Sequence, residues 1–191
     1  MADKQAGLTL LELIVVIGIV ALLAGVAAPN FRDFLQNNRL QSSASEIELA
    51  LKLARNEALK LGNTVMMCPS NNPEAATPVC SASTADWGNG LLVYAAPFQA
   101  LRNPAPRAFA AGDILIKQIA LNYNGTINST AGQPAFISFQ NNGLAFPAGT
   151  SVDLALCDSR GANFGLGVRV SSVGKMRSIK LKDFPAVGCN P

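Results

Sequence analysis

The sequence predicts an α+β protein: a long N-terminal α-helix, membrane-spanning in its first half and amphipathic in its second, packed on an antiparallel β-sheet domain. Three observations carry this. Leu8 to Ala28 is an apolar run whose only strongly polar side chain is Glu12. Apolar residues beyond it recur at helical spacing as far as Leu61. From Thr64 onward the pattern changes to short β-type runs separated by turn residues.

As a helix the apolar run would rise about 31 Å, enough to cross the hydrocarbon core of a bilayer. It is longer than the apolar region of an ordinary secretory signal, about 7 to 15 residues, and no clear processing site follows it. Instead the run continues into Pro29-Asn30-Phe31, and the preceding Met1 to Gly7 carries one Lys4 against one Asp3. Pro29 removes one helical hydrogen bond, so a kink or local melting is expected there before the helix resumes. Ile47, Leu51, Ala54, Ala58 and Leu61 then step by four and three, laying an apolar stripe along a helix that closes at Gly62-Asn63. Glu46, Glu48, Lys52, Arg55 and Lys60 are left for solvent or a neighbouring subunit.

The β-type runs are Thr64 to Cys68, Gly90 to Tyr94, Ile114 to Ile119, Ala135 to Phe139, Ser151 to Leu156, Phe164 to Val170 and Met176 to Leu181. Asn124-Gly125, Asn142-Gly143 and Val173-Gly174 supply turn positions that tolerate positive φ. Ala95 to Gly112, rich in alanine and proline, reads as a surface excursion rather than a linker, because neither flank is long enough for a domain of its own.

At 191 residues the chain has room for one domain and an appendage. Its 49% apolar and 14% charged composition is too apolar for disorder. Histidine is absent, which removes the commonest general base, triad member and metal ligand. With no phosphate loop or nucleophile elbow either, no catalytic residue, metal or cofactor is expected. Cys68, Cys80, Cys157 and Cys189 show no C-x-x-C spacing, and their even number fits two disulfides in an oxidising compartment.

Glu12 requires an account, since an acid inside a spanning helix costs roughly 2.5 to 3.5 kcal/mol on insertion scales. Either it lies close enough to the interface to reach water, or it has a cationic partner. The obvious partner is the α-amino group created if the chain is cut before Leu8.

Gly7-Leu8-Thr9-Leu10-Leu11-Glu12-Leu13-Ile14-Val15-Val16-Ile17 closely resembles the class III signal of type IV pilins and type II secretion pseudopilins. The resemblance implies that a prepilin peptidase cuts after Gly7, that the new N-terminus at Leu8 is methylated, and that Glu12 serves assembly as the fifth mature residue. Leu8 departs from the usual phenylalanine. Cys68 to Cys80 followed by Trp87-Gly88-Asn89-Gly90 and a strand is similar to the GspH/FimT branch of minor pilins and pseudopilins. So is Gly174-Lys175-Met176-Arg177, a form of the branch's G-R-x-R element with Lys175 in place of the first arginine. Taken by itself, a lone tryptophan before a glycine turn reads as a core anchor. Sequence proximity together with the resemblance pairs Cys68 with Cys80 and Cys157 with Cys189, although four cysteines allow three pairings.

The resemblance also implies a domain plan: a leader over 1–7, a transmembrane and filament-core helix over 8–28, its amphipathic continuation over 29–62, and a β-rich globular domain over 63–191. The expected location is the bacterial inner membrane with the globular domain periplasmic, and then the pilus at the cell surface. The expected partners are other pilins through the N-terminal helix, the prepilin peptidase, the inner membrane before assembly, and DNA.

DNA enters through charge. Arg160, Arg169, Lys175, Arg177, Lys180 and Lys182 follow one another with no intervening acid. A hairpin here would present Lys175 beside Arg169 or Arg177, spaced for successive phosphates. Strand alternation would put Lys180 and Lys182 on one face and Arg177 on the other. Three or four such contacts predict a slope of log K against log salt near ~−3 to −4, with Lys52 on the helix as a remote control. The expected role is therefore a minor pilin binding DNA without sequence preference for uptake in natural transformation. The plainer reading is an edge strand protected by lysines. It fits a structural minor pilin priming pilus assembly, or a type II secretion pseudopilin.

Overall fold

The computed structural model describes residues 9–81, 87–95, 113–121, 123, 125–129, 136–146, 151–183 and 189. Gly7 and Leu8, flanking the expected cut, lie outside the described residues, as do Asn124 and 96–112 of the expected surface excursion. The chain divides into two compact units, 1–38 and 39–191.

Helix α1 spans Leu10–Leu61 and contributes to both units. In the first unit its start is capped by Thr9. The Glu12 N–H donates to Thr9 Oγ1 at 3.3 Å, and the Leu13 N–H donates to the Thr9 carbonyl at 3.2 Å. Thr9-x-x-Glu12 is thus a capping-box sequence that places an acid where the helix dipole favours one. The backbone is helical straight through Pro29, so the local melting expected there does not occur. Just beyond it, Asn30 Nδ2 donates to the Val26 carbonyl at 3.1 Å. Leu10, Leu11, Ile14, Ile17, Leu22, Val26 and Phe31 are all exposed, and this part of the helix is long and apolar enough to cross a membrane.

In the second unit Leu40, Ala44, Ile47, Leu51, Ala54 and Ala58 are buried at steps of four and three. The stripe therefore begins about two turns earlier than its sequence signature. Leu61, expected to belong to it, is 40% exposed because the helix ends there and Gly62 turns the chain with φ 65°.

Among the described residues nine strands follow: β1 Val65–Pro69, β2 Gly90–Ala95, β3 Ile114–Ala120, β4 Thr126–Ser129, β5 Ile137–Phe139, β6 Ala145–Phe146, β7 Val152–Cys157, β8 Leu166–Val170 and β9 Met176–Lys180, closed by a 3-10 turn, Leu181–Asp183. The single sheet expected is in fact two, both antiparallel, in the orders β3-β2-β1-β5-β6 and β4-β7-β8-β9. β4 and β6 have weak sequence signatures. The Thr-Ile-Asn-Ser segment of β4 contains two poor strand formers, and β6 is two residues long.

One core joins helix and sheets. Alternate residues Val65 and Met67, Leu91 and Val93, Ile137 and Phe139, Val152, Leu154 and Leu156, and Val168 and Val170 pack with the helix stripe. Trp87 is fully buried in the same core. The opposite face of the first sheet carries a second cluster, Met66, Cys68, Leu92, Tyr94 and Phe136. That of the second sheet carries Ala155, Cys157 and Leu181. Disulfides join Cys68 to Cys80 and Cys157 to Cys189. Each contributes about 3 to 4 kcal/mol in the chain-entropy account of cross-links, a large share of a small domain's stability.

Candidate functional site

The basic residues gather on the β8–β9 hairpin, whose loop follows from its sequence. Ser171 and Gly174 close a tight turn, with the Gly174 N–H donating to the Ser171 carbonyl at 2.8 Å. The Ser171 N–H donates to the Lys175 carbonyl at 2.9 Å, and the Lys175 N–H to Ser171 Oγ at 3.1 Å. Gly174 has φ 74°, the left-handed residue that a three-residue hairpin loop requires. Lys175 is exposed at the mouth of this loop.

The loop is also fixed from below. Arg55 Nε on the helix donates to the Gly143 carbonyl at 3.2 Å. The Ala145 N–H donates to the Ser172 carbonyl at 2.9 Å. A Cβ on Gly174 would collide with the Gly143 carbonyl and lie 2.9 Å from Arg55 Nε. Helix, β5–β6 turn and β8–β9 turn thus meet at one point, with Arg55 at the junction, where its helical position predicts a side chain left for solvent or a neighbouring subunit.

Across the outer face of the second sheet, Asp153, Arg169 and Arg177 stand side by side in register on β7, β8 and β9. Arg169 reaches toward β7. Its Nε and Nη2 donate to the two Asp153 carboxylate oxygens at 2.6 Å each, and this hydrogen-bonded pairing raises the guanidinium's already high pKa. The Asp153 side chain is 7% exposed and that of Arg169 24%. Arg160 is held in the same way. Its Nη2 donates to Asp158 Oδ2 at 2.6 Å, its backbone N–H to Asp158 Oδ1 at 2.9 Å, and its guanidinium lies 4.7 Å over the Phe164 ring. Burial pushes the Asp158 carboxyl up, but the Arg160 hydrogen bonds outweigh it and hold the group below the usual carboxylate range. The same pocket pushes the Tyr123 phenol up, chiefly by burial.

Arg160 and Arg169, two of the six expected phosphate contacts, are thus each already matched by a carboxylate. Lys175, Arg177, Lys180 and Lys182 are exposed, and no carboxylate pairs with them among the described residues. The expected division between faces also changes. The strand ends at Lys180 and Lys182 lies in the 3-10 turn, so the two lysines do not share a strand face. Ser178, on the same face of β9 as Lys180, donates to Glu48 Oε2 at 3.3 Å, and Glu48 pairs with Lys52 at 2.8 Å. Lys52 thus adjoins the hairpin's neighbourhood and is not the remote control it seemed; exposed Lys117 on β3, in the other sheet, takes that place.

β9 is the edge of its sheet. From Lys175 to Lys180 the edge runs about 17 Å at strand rise. Side chains from both faces border an open edge, so a linear polyanion laid alongside it can meet cations from either face.

Comparison with known proteins places these features. The family described as type II transport protein GspH matches residues 43–174, and the prokaryotic N-terminal methylation motif matches residues 3–28. A fimbrial protein of Pseudomonas aeruginosa is 34% identical over 62 residues, which cover 32% of this chain and only 40% of that protein. The type II secretion system protein H of Escherichia coli K12 is 26% identical over 149 residues, covering 69% of this chain and 86% of that protein. The crystal structure of the type IV minor pilin FimU of Pseudomonas aeruginosa shares the fold, with a TM-score of 0.53 at 20% identity over 78% of this chain and 94% of that one. Thr9 and Glu12 at the capped start of an apolar helix lie within the methylation-motif match, and the helix stripe from Ala44 onward, strands β1 to β8 and the β8–β9 turn as far as Gly174 lie within the GspH match, which stops short of β9. The chain belongs to the GspH family, as a pilin-like subunit with a prepilin-type N-terminus and, among the described residues, one apolar helix for membrane anchoring.

Proposed function

We propose that this protein is a minor type IV pilin that binds DNA without sequence preference along the β9 edge, for uptake in natural transformation. It acts by binding and assembly rather than catalysis. The chain is cut after Gly7 and methylated at Leu8, its helix anchors it in the inner membrane with the globular unit in the periplasm, and Glu12 pairs with a neighbouring subunit's N-terminus during assembly. The observation that supports the DNA reading is the run of exposed cations Lys175, Arg177, Lys180 and Lys182 along the β9 edge strand and its two ends, with no carboxylate paired to them among the described residues. Phosphates are their natural ligand, since these side chains are point charges or forks and no base-reading element accompanies them.

With Arg160 and Arg169 matched internally, two or three phosphates are engaged. Log K for a mixed-sequence duplex is then expected to fall with log salt at a slope of about −2 to −3, less steep than the charge count of the sequence alone implies. Lys175→Gln and Arg177→Gln, measured on the full chain in nonionic detergent, each flatten the slope by about one and weaken binding to unrelated sequences alike. Both lower transformation, while Lys117→Gln leaves binding and uptake unchanged. Unaltered binding and transformation by the two hairpin variants would contradict this role.

The likeness to the Escherichia coli secretion protein H favours a second reading, a pseudopilin of a type II secretion assembly. Deletion separates the two: loss of transformation supports the first, and loss of protein secretion the second.

A further inference from the structure

Resting on the DNA-contacting reading above, we infer that Asp153 sets the number of phosphates this face can hold, by occupying Arg169 and leaving Arg177 as the row's arginine with no carboxylate partner among the described residues. Arg169 and Arg177 are direct neighbours in the β8–β9 register. Two arginines at such positions repel each other when both stand out from the sheet, and would offer a phosphate two adjacent forks. Asp153 occupies the next position in the same row, on β7. Its two oxygens take Nε and Nη2 of Arg169, drawing that guanidinium across the sheet away from β9.

The carboxylate is 7% exposed, so water competes poorly for it and the pair holds Arg169 toward β7. Lys175, Arg177, Lys180 and Lys182 have no such partner among the described residues. The row therefore divides its two arginines into one structural and one functional. Asp153 is a positioning residue that limits binding to a weak, salt-sensitive contact.

The experiment is a salt series of binding to a mixed-sequence duplex by the full chain in nonionic detergent, read as the slope of log K against log salt. Asp153→Asn is expected to release Arg169, bind several-fold tighter at low salt, and steepen the slope by about 0.9, the increment for one added phosphate contact. The double variant Asp153→Asn with Arg169→Gln replaces the ion pair by a neutral hydrogen-bonding pair at unchanged net charge, and is expected to keep the parent's slope. Glu74→Gln changes net charge as Asp153→Asn does, but on an exposed loop position, and also keeps the parent's slope. A slope about 0.9 flatter in the double variant would show Arg169 already contacting phosphate and overturn the inference. So would an Asp153→Asn slope equal to the parent's, with the parent still binding; in both cases the DNA-contacting reading stands. Should Asp153→Asn fail to fold, the double variant decides alone. Absence of salt-dependent binding in every variant, parent included, removes the DNA-contacting reading and this inference together.

Discussion

Trp87→Ala is expected to destabilise the globular unit by about 3 to 5 kcal/mol, the range for deleting a buried large aromatic side chain. Trp87 is fully buried in the core that joins the helix to both sheets, and it is the chain's only tryptophan. Its role is volume rather than hydrogen bonding, because the indole Nε1–H is buried with no acceptor among the described residues. Trp87→Phe therefore keeps much of the packing and sheds a donor that burial leaves unmatched, so its expected cost is smaller, about 1 to 2 kcal/mol. Pulse proteolysis across a urea series checks both values without relying on tryptophan fluorescence. A Trp87→Phe variant as unstable as Trp87→Ala would show that the ring's polar edge matters after all.

Glu12 carries the second large effect, on assembly rather than on folding. Two accounts of an acid in this apolar helix have different chemistry. As the N3 residue of a capping box, Glu12 serves its own helix, whose start is fastened by the Thr9 hydroxyl. As the partner of a neighbour's N-terminal amine, it serves docking in a water-poor environment, where an unmatched charge is expensive. Glu12→Gln retains the side chain's hydrogen-bonding reach but loses the charge; Glu12→Ala loses both. If the charge pairs between subunits, both variants insert into membranes at least as readily as the parent, and both enter filaments at least tenfold less often. Quantitative blotting of sheared filaments against the membrane fraction reads the ratio. Normal incorporation of Glu12→Gln together with loss of Glu12→Ala would reduce the residue's role to capping.

The parts of the fold legible in the sequence were those set by local periodicity. The stripe through Ile47, Leu51, Ala54 and Ala58 has a helical period, and the longer strands have β-type runs between glycine turns, so both could be placed from local pattern alone. The division into two sheets could not, because it depends on β4 pairing with β7 rather than with β3, a long-range choice to which the short polar segment Thr126–Ser129 gives no clue. The basic hairpin was legible as a run of charge. Which of its charges are available was only half legible: Asp158 is two residues from Arg160 but lies just outside a run counted from the arginine. Asp153 is sixteen residues from Arg169 and meets it only through the β7–β8 register. Arg55 was assigned to solvent or a neighbouring subunit by its helical position, and its contact with the Gly143 turn exists only once three elements have converged. The Thr9-x-x-Glu12 cap was present in the sequence as a recognisable pattern, overshadowed by the cost of placing an acid in an apolar run.

The pilin-like reading is tested most directly by the intact mass of the chain recovered from purified filaments. The expected mass is that of a polypeptide beginning at Leu8 with one added methyl group, both disulfides closed and residues Met1 to Gly7 removed. A filament-borne chain that retains Met1, or one that begins beyond Ala28 and so has lost its apolar helix, would contradict it.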